Sequence, residues 1–112
     1  MTETIPMTRL ELIRLIGDVI VKVDELCSTL DREAPNRIKL DNIRDELDTI
    51  QHKLVRSIIN DNTEEFKNLT NSLKIINKEL RETIDDVDKI AQNLETLVKF
   101  VGVIQKIAEL AP

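Results

Sequence analysis

Residues 63–110 read TEEFKNLTNSLKIINKELRETIDDVDKIAQNLETLVKFVGVIQKIAEL, and this stretch decides how many helices the chain forms. Its apolar residues recur at intervals of three and four, the period of an amphipathic α-helix. They are Phe66, Leu69, Leu73, Ile76, Leu80, Ile84, Val87, Ala91, Leu94, Val98 and Val101. No glycine or proline interrupts the run before Gly102. We therefore expect one continuous helix over 63–110, roughly 70 Å long.

A break near residues 83–88 is the alternative. Asp85 or Asp86 could then cap a further helix, because a short side-chain oxygen can accept a hydrogen bond from a free N–H of the first turn. A break would give a four-helix bundle instead of three long helices. Strong helix-forming residues on both sides of the segment favour continuity.

Two shorter helices precede this stretch. Thr8 and Glu11 have the spacing of a capping box, and the first helix should end near 32–33 because Pro35 disfavours helical geometry in the residue before it. Pro35 itself suits the start of the second helix. The two apolar stripes are Leu12, Ile16, Val19, Val23, Leu26 and Leu30, then Leu40, Ile43, Leu47, Ile50, Leu54 and Ile58.

The run Asn60-Asp61-Asn62-Thr63 predicts the turn that leads into the third helix, with Thr63 as its cap. The fold class predicted from these patterns is all-α. We expect an antiparallel helical bundle with coiled-coil-like packing, in which residues 1–7 form a flexible N-terminus and 8–112 a single domain.

The composition excludes several other classes. Two glycines, three prolines and two aromatic residues among 112 are too few for a sandwich or barrel. The formal charge of −5, with no basic stripe, argues against nucleic acid as a partner. A single cysteine, an N-terminus unlike a secretory signal and the lack of a long uncharged apolar segment lead us to expect a cytoplasmic protein.

The residues that most often carry catalysis are few and scattered. His52 is the single histidine and lies off the apolar stripe, so we expect a solvated side chain. Cys27 lies beside the first stripe and should be a buried, unreactive thiol. Asp85, Asp86 and Asp88 would fan outward from a helix and could not converge on a cation. We therefore expect no enzymatic activity, no cofactor, no metal and no small-molecule substrate.

Two polar residues interrupt the third stripe. Asn77 and Thr83 lie near its apolar face. Buried polar residues in a helical core can set register or oligomeric state, while the same residues at the edge of the stripe would face solvent. The sequence leaves both readings open.

The C-terminal segment 94–111 is apolar over an arc of roughly 240°, more than a surface helix of a monomer requires. Three partners could bury this apolar surface: the rest of the same chain, a second copy of the chain, or a membrane or other protein. We predict that association is the function, with a homodimer first and another helical protein second. The predicted interaction surface is Leu97, Phe100, Val103, Ile104 and Ile107.

The alternative function is that of a peripheral membrane protein that inserts residues 94–111. The polar strip of this segment is neutral, because Glu95 and Glu109 balance Lys99 and Lys106. Interfacial helices that bind anionic lipid usually carry an excess of lysine and arginine. A membrane partner is therefore the less favoured hypothesis.

Overall fold

The computed structural model describes residues 7–111, and within this range the protein is all-α with no strand. The helices are α1 (Arg9–Ser28), α2 (Pro35–Arg56), α3 (Glu64–Thr83) and α4 (Ile90–Ala108), with a short 3₁₀ turn (Val87–Lys89) before α4. The predicted fold class is confirmed, in its four-helix form.

The helix starts follow the local signals in the sequence. The Thr8 hydroxyl accepts a hydrogen bond from the Glu11 N–H at 3.1 Å, and the Glu11 carboxylate accepts one from the Thr8 N–H at 3.3 Å. The predicted capping box is thus confirmed. Pro35 is the first residue of α2, and the Thr63 hydroxyl caps α3 by accepting from the Phe66 N–H at 3.2 Å.

Helix α1 ends at Ser28, earlier than the predicted 32–33. The guanidinium of Arg37 stabilises this end, since it donates to the Cys27 carbonyl oxygen at 2.8 Å and to the Leu30 carbonyl oxygen at 3.1 Å. A cation and hydrogen-bond donor at a helix C-terminus satisfies the carbonyl groups that have no intrahelical partner.

The expectation of a continuous helix over 63–110 was wrong, and the break at 83–88 is confirmed. α3 ends at Thr83, and Asp86 has an extended backbone with φ −100° and ψ 106°. The Asp86 carboxylate then caps the 3₁₀ turn by accepting from the Asp88 N–H at 3.0 Å. The break lets the apolar faces of α3 and α4 in the same chain pack against each other, which a straight helix would prevent.

The four helices form two hairpins, α1–α2 and α3–α4, which are joined mainly through packing of α2 on α4. Asn36 at the start of α2 and Gln92 at the start of α4 line the same groove, so these two helices run in the same direction. The helix starts of the two hairpins also match in spacing. The same interval of 55 residues separates Arg9 from Glu64 and Pro35 from Ile90.

A single hydrophobic core includes residues of all four helices, while the division into a flexible N-terminus and one domain over 8–112 stays a prediction. The molecule measures 42 × 35 × 17 Å, and its smallest dimension fits two layers of packed helices. Residues 1–6 of the predicted flexible N-terminus lie outside the described range, while Met7 is buried against the core. The largest fully buried side chains are Phe66, Phe100, Leu12, Ile16, Leu40, Leu47, Leu54, Leu73, Leu97, Ile104 and Ile107.

The two glycines, both inside helices, give a matched test of helix packing. A Cβ at Gly102 would meet no atom within 4 Å, whereas one at Gly17 would lie 3.2 Å from Nε2 of Gln51. Gln51 Nε2 also donates to the Ile13 carbonyl oxygen at 3.1 Å, which limits how far it can move. We expect Gly102→Ala to raise the free energy of unfolding by about 0.5–1 kcal/mol, since alanine favours a helix interior.

Gly17→Ala should stabilise the fold less than Gly102→Ala, or destabilise it, because the Gln51 amide must shift. Urea denaturation of both variants at equal protein concentration measures the difference. Equal increases in the free energy of unfolding for the two variants would show that the Gln51 contact imposes no constraint on α1.

Candidate interaction surface

The residues predicted to form the interaction surface lie mostly inside the bundle. Leu97, Phe100, Ile104 and Ile107 are each 0 % exposed, and Val103 is partly buried against the same core. The reason is that α4 packs against α3 and also against α2. The wide apolar arc of α4 is therefore covered from within the chain, which was the first of the three coverings considered. Self-association itself stays a prediction.

The accessible part of α4 forms a face together with α2. A groove of about 1130 Å³ runs between the first halves of the two helices, and its apolar lining includes Ile43, Leu94 and Val98. Val98 is 61 % exposed, although it belongs to the apolar pattern of the sequence. A second recess of about 210 Å³ follows between the later parts of the same helices, lined by Asp45, Glu46, Thr49, Ile50 and Gln105. We call the residues that line these two recesses the α2–α4 face.

Charge is distributed unevenly along the α2–α4 face. The first groove is bordered by Lys39 and Lys99, with Glu95 as its acidic side chain. The second recess is bordered by Asp45 and Glu46. All five side chains are exposed. One end of the face is therefore more basic and the other end acidic.

A different groove separates α1 from α3. It has a volume of about 420 Å³ and a buried apolar floor that includes Val19, Leu80 and Ile84. At its rim, Lys22 Nζ donates to Asp85 Oδ1 at 3.1 Å and bridges α1 to the segment after α3. The hydrogen bond and charge of Asp85 raise the pKa of Lys22. Asp18 and Arg81 are the other charged residues of this groove, whereas five charged residues line the α2–α4 face.

One buried polar pair holds α3 to α4. The Thr83 hydroxyl donates to Asn93 Oδ1 at 2.6 Å, and Asn93 Nδ2 donates to the Thr83 carbonyl oxygen at 3.0 Å. Asn93 is 0 % exposed and Thr83 is 7 % exposed. Thr83 is thus a core residue, which resolves one of the two polar positions left open by the sequence, while Asn77 is partly buried at the rim of the α1–α3 groove.

Asn93 was missed by the sequence analysis. The signal was present in the spacing, because Asn93 precedes Leu97 by four residues and continues the series Leu97, Phe100, Ile104 and Ile107 toward the start of α4. A continuous helix would place Ala91 and Leu94 on the apolar stripe, and this assumption concealed the series to which Asn93 belongs. Both residues of that stripe are more accessible than Asn93.

The cysteine environment does not favour nucleophilic chemistry. Cys27 is buried, as expected, and its thiol donates to Asp41 Oδ1 at 3.4 Å. Burial raises the pKa of Cys27 to about 11, and the hydrogen bond to Asp41 acts in the same direction. Arg37 donates to the same carboxylate oxygen at 3.1 Å and lowers the pKa of Asp41. The thiolate, which is the reactive form, is therefore scarce at neutral pH.

The remaining polar candidates do not converge. The His52 side chain is 63 % exposed, and its Nδ1 lies 2.8 Å from the Asp48 carbonyl oxygen. Asp85, Asp86 and Asp88 are exposed, and two of them are engaged by Lys22 and by the 3₁₀ turn. Among residues 7–111, no group of histidine, cysteine or acidic side chains is placed to hold a metal ion.

The comparisons with known proteins add no family. No protein-family model, no curated protein and no solved structure matches the chain. Within the described residues, none of the helices combines the length and apolar character needed to cross a membrane.

The Thr83–Asn93 pair is expected to be strongly coupled. Thr83→Val or Asn93→Leu alone leaves a buried polar group without its partner, so each should lower the free energy of unfolding by about 1–3 kcal/mol. The double variant should lose less than the two single losses combined. Urea denaturation of the four proteins gives the coupling energy, and strict additivity would mean that the pair does not act as a unit.

The buried thiol predicts slow modification in the folded protein. With a pKa of about 11 in place of 9.0, the thiolate fraction of Cys27 near pH 8 is about one hundredth of that of an exposed thiol. An alkylating reagent should therefore label native protein at least about a hundredfold more slowly than urea-unfolded protein. The native rate should rise as the pH approaches 11. Rapid labelling at neutral pH would contradict this environment for Cys27.

Proposed function

We propose that this protein is a non-enzymatic helical interaction module that self-associates through its α2–α4 face. The observation that carries the proposal is the charge asymmetry of that face. Lys39 and Lys99 border one end, and Asp45 and Glu46 border the other. A second copy related by a two-fold axis across the helices presents the same face in the opposite direction.

In that arrangement the lysines of each copy face the carboxylates of the other, and the complementary contact occurs twice. Asn42 of α2 lies between Lys39 and Asp45 in the sequence and lines the first groove, so the two-fold axis would pass close to it. Val98 of α4 lines the same groove and supplies an exposed apolar contact.

The face also fits the general properties of protein interfaces. An apolar centre bordered by charges gives affinity through burial of the centre and orientation through the charges. The dimer would serve as a scaffold or as a regulator of assembly, with the outer surfaces of both bundles available to other proteins.

The membrane alternative has less support. Most apolar side chains of residues 94–111, among them Leu97, Phe100, Ile104 and Ile107, are buried between the helices. Lipid insertion would require them to leave the core, with loss of the burial that stabilises the bundle. The α2–α4 face offers an interaction without unfolding.

A charge-reversal experiment tests the proposed face. In one variant Lys39 and Lys99 are replaced by glutamate, which makes both ends of the face acidic. In the other, Asp45 and Glu46 are replaced by lysine, which makes both ends more basic. Each variant alone should self-associate with a dissociation constant raised about tenfold or more, because like charges then oppose each other.

An equimolar mixture of the two variants should form a heterodimer that is tighter than either homodimer. Sedimentation equilibrium or light scattering after size-exclusion chromatography gives the masses. Reversal of Lys78 and Glu79, which are exposed on α3 away from the face, is the matched control and should leave the parent mass unchanged. A wild-type chain that stays monomeric up to high concentration contradicts self-association, and a dimer indifferent to both reversals contradicts this face.

A further inference from the structure

The two hairpin connections have equal length but very different chemistry. Residues 29–34 join α1 to α2, and residues 84–89 join α3 to α4. The first connection ends at Pro35, which prevents the preceding residue from becoming helical. The second contains neither glycine nor proline, and the residue that corresponds to Pro35 in the matched hairpin is Ile90. Only the second connection is compatible with a straight helix.

The closed α3–α4 hairpin depends on a few local interactions. Asp86 has an extended backbone and caps the 3₁₀ turn. Asp85 pairs with Lys22, and the buried Thr83–Asn93 hydrogen bonds fix the beginning of α4 against the end of α3. The remaining packing of α4 is with helices that a second copy of the chain also contains. A copy of α4 supplied by another molecule would therefore make the same contacts.

We propose that two copies of the chain exchange α4. Residues 84–89 become helical in each copy, α3 and α4 join into one long helix, and each α4 packs on α2 and α3 of the other copy. The long helices then lie antiparallel about a two-fold axis at the former hinge. Asn93 of one copy bonds Thr83 of the other, so this buried polar pair of the closed bundle is kept. This inference rests on the proposed self-association only in taking a second copy as the partner.

The exchange has its own electrostatic signature. Asp85, Asp86 and Asp88 of both copies approach the axis in the exchanged dimer, and the Lys22–Asp85 ion pair of the closed form is lost. Salt weakens both the repulsion in the exchanged dimer and the ion pair in the closed form. The exchanged dimer should therefore become more abundant as salt rises, whereas a dimer held by the charges of the α2–α4 face should become less abundant.

Proline at residue 87 distinguishes exchange of α4 from association through the α2–α4 face. Asp86 already has the extended backbone that a residue before proline prefers, and Val87 is an exposed residue at the start of the 3₁₀ turn. Val87→Pro thus suits the closed hairpin, yet it blocks a helix through residue 87 by removing an N–H and by a clash with the preceding turn. Asp86→Ala is the opposite variant, because it removes the cap of the turn and favours the helix.

The proteins are unfolded in urea, refolded at high concentration in low and high salt, and separated by size-exclusion chromatography with light scattering. The wild type should yield a slowly dissociating dimer that increases with salt. Val87→Pro should reduce the amount of this dimer at least tenfold. The variant should remain folded by circular dichroism and monomeric by light scattering. Asp86→Ala should increase the amount of the dimer. Reversal of Lys39 and Lys99 should leave this slowly dissociating dimer in place, while it still weakens the rapidly reversible association through the α2–α4 face.

The following outcomes would contradict the exchange of α4. A dimer that persists in Val87→Pro and is lost on reversal of Lys39 and Lys99 overturns exchange and supports the proposed face. A chain that is monomeric under all conditions, including the Asp86→Ala variant, overturns both proposals. If Val87→Pro does not fold, the Asp86→Ala variant and the salt series still test the exchange. A dimer whose amount decreases as salt rises, and does not change in Asp86→Ala, is not an exchanged dimer.

Discussion

The packing of α2 against α4 is the contact on which the rest of the structure depends. Each hairpin covers only one side of its own helices, and a pair of helices alone buries too little apolar surface to offset the entropy of ordering the chain. The parallel contact of α2 and α4 converts the two hairpins into one core. It also determines which surface stays accessible, because the edges of these two helices form the charged face that we propose as the site of association.

The features that could be predicted from the sequence are those set by neighbouring residues. Thr8 with Glu11, Thr63 and Pro35 mark helix starts through short-range hydrogen bonds and backbone sterics, and all three are placed as expected. The burial of Cys27 also follows from its position beside an apolar stripe. Such signals act within one helical turn, so they hold whatever the helices later pack against.

The features that could not be predicted depend on residues far apart in the chain. Local propensity favoured a straight helix through 84–89, but burial of α4 between α2 and α3 outweighs it in the single chain. The same burial places Leu97 and Phe100 in the core, although the wide apolar arc of α4 suggested an outer partner. Asn93 shows the limit most clearly, because an asparagine becomes a core residue only when a specific partner, here Thr83, lies opposite it.

The interval of 55 residues between matched helices has a consequence for synthesis of the chain. The ribosome adds roughly 5–20 residues per second, so the first hairpin waits on the order of several seconds before the second is complete. During that delay the side of α2 that will contact α4, with Ile43 and Ile50 at its floor, has no cover. Lys39, Asp45 and Glu46 flank these residues and are exposed. Charged residues beside an apolar segment oppose the aggregation of incomplete chains, and these three residues have that placement.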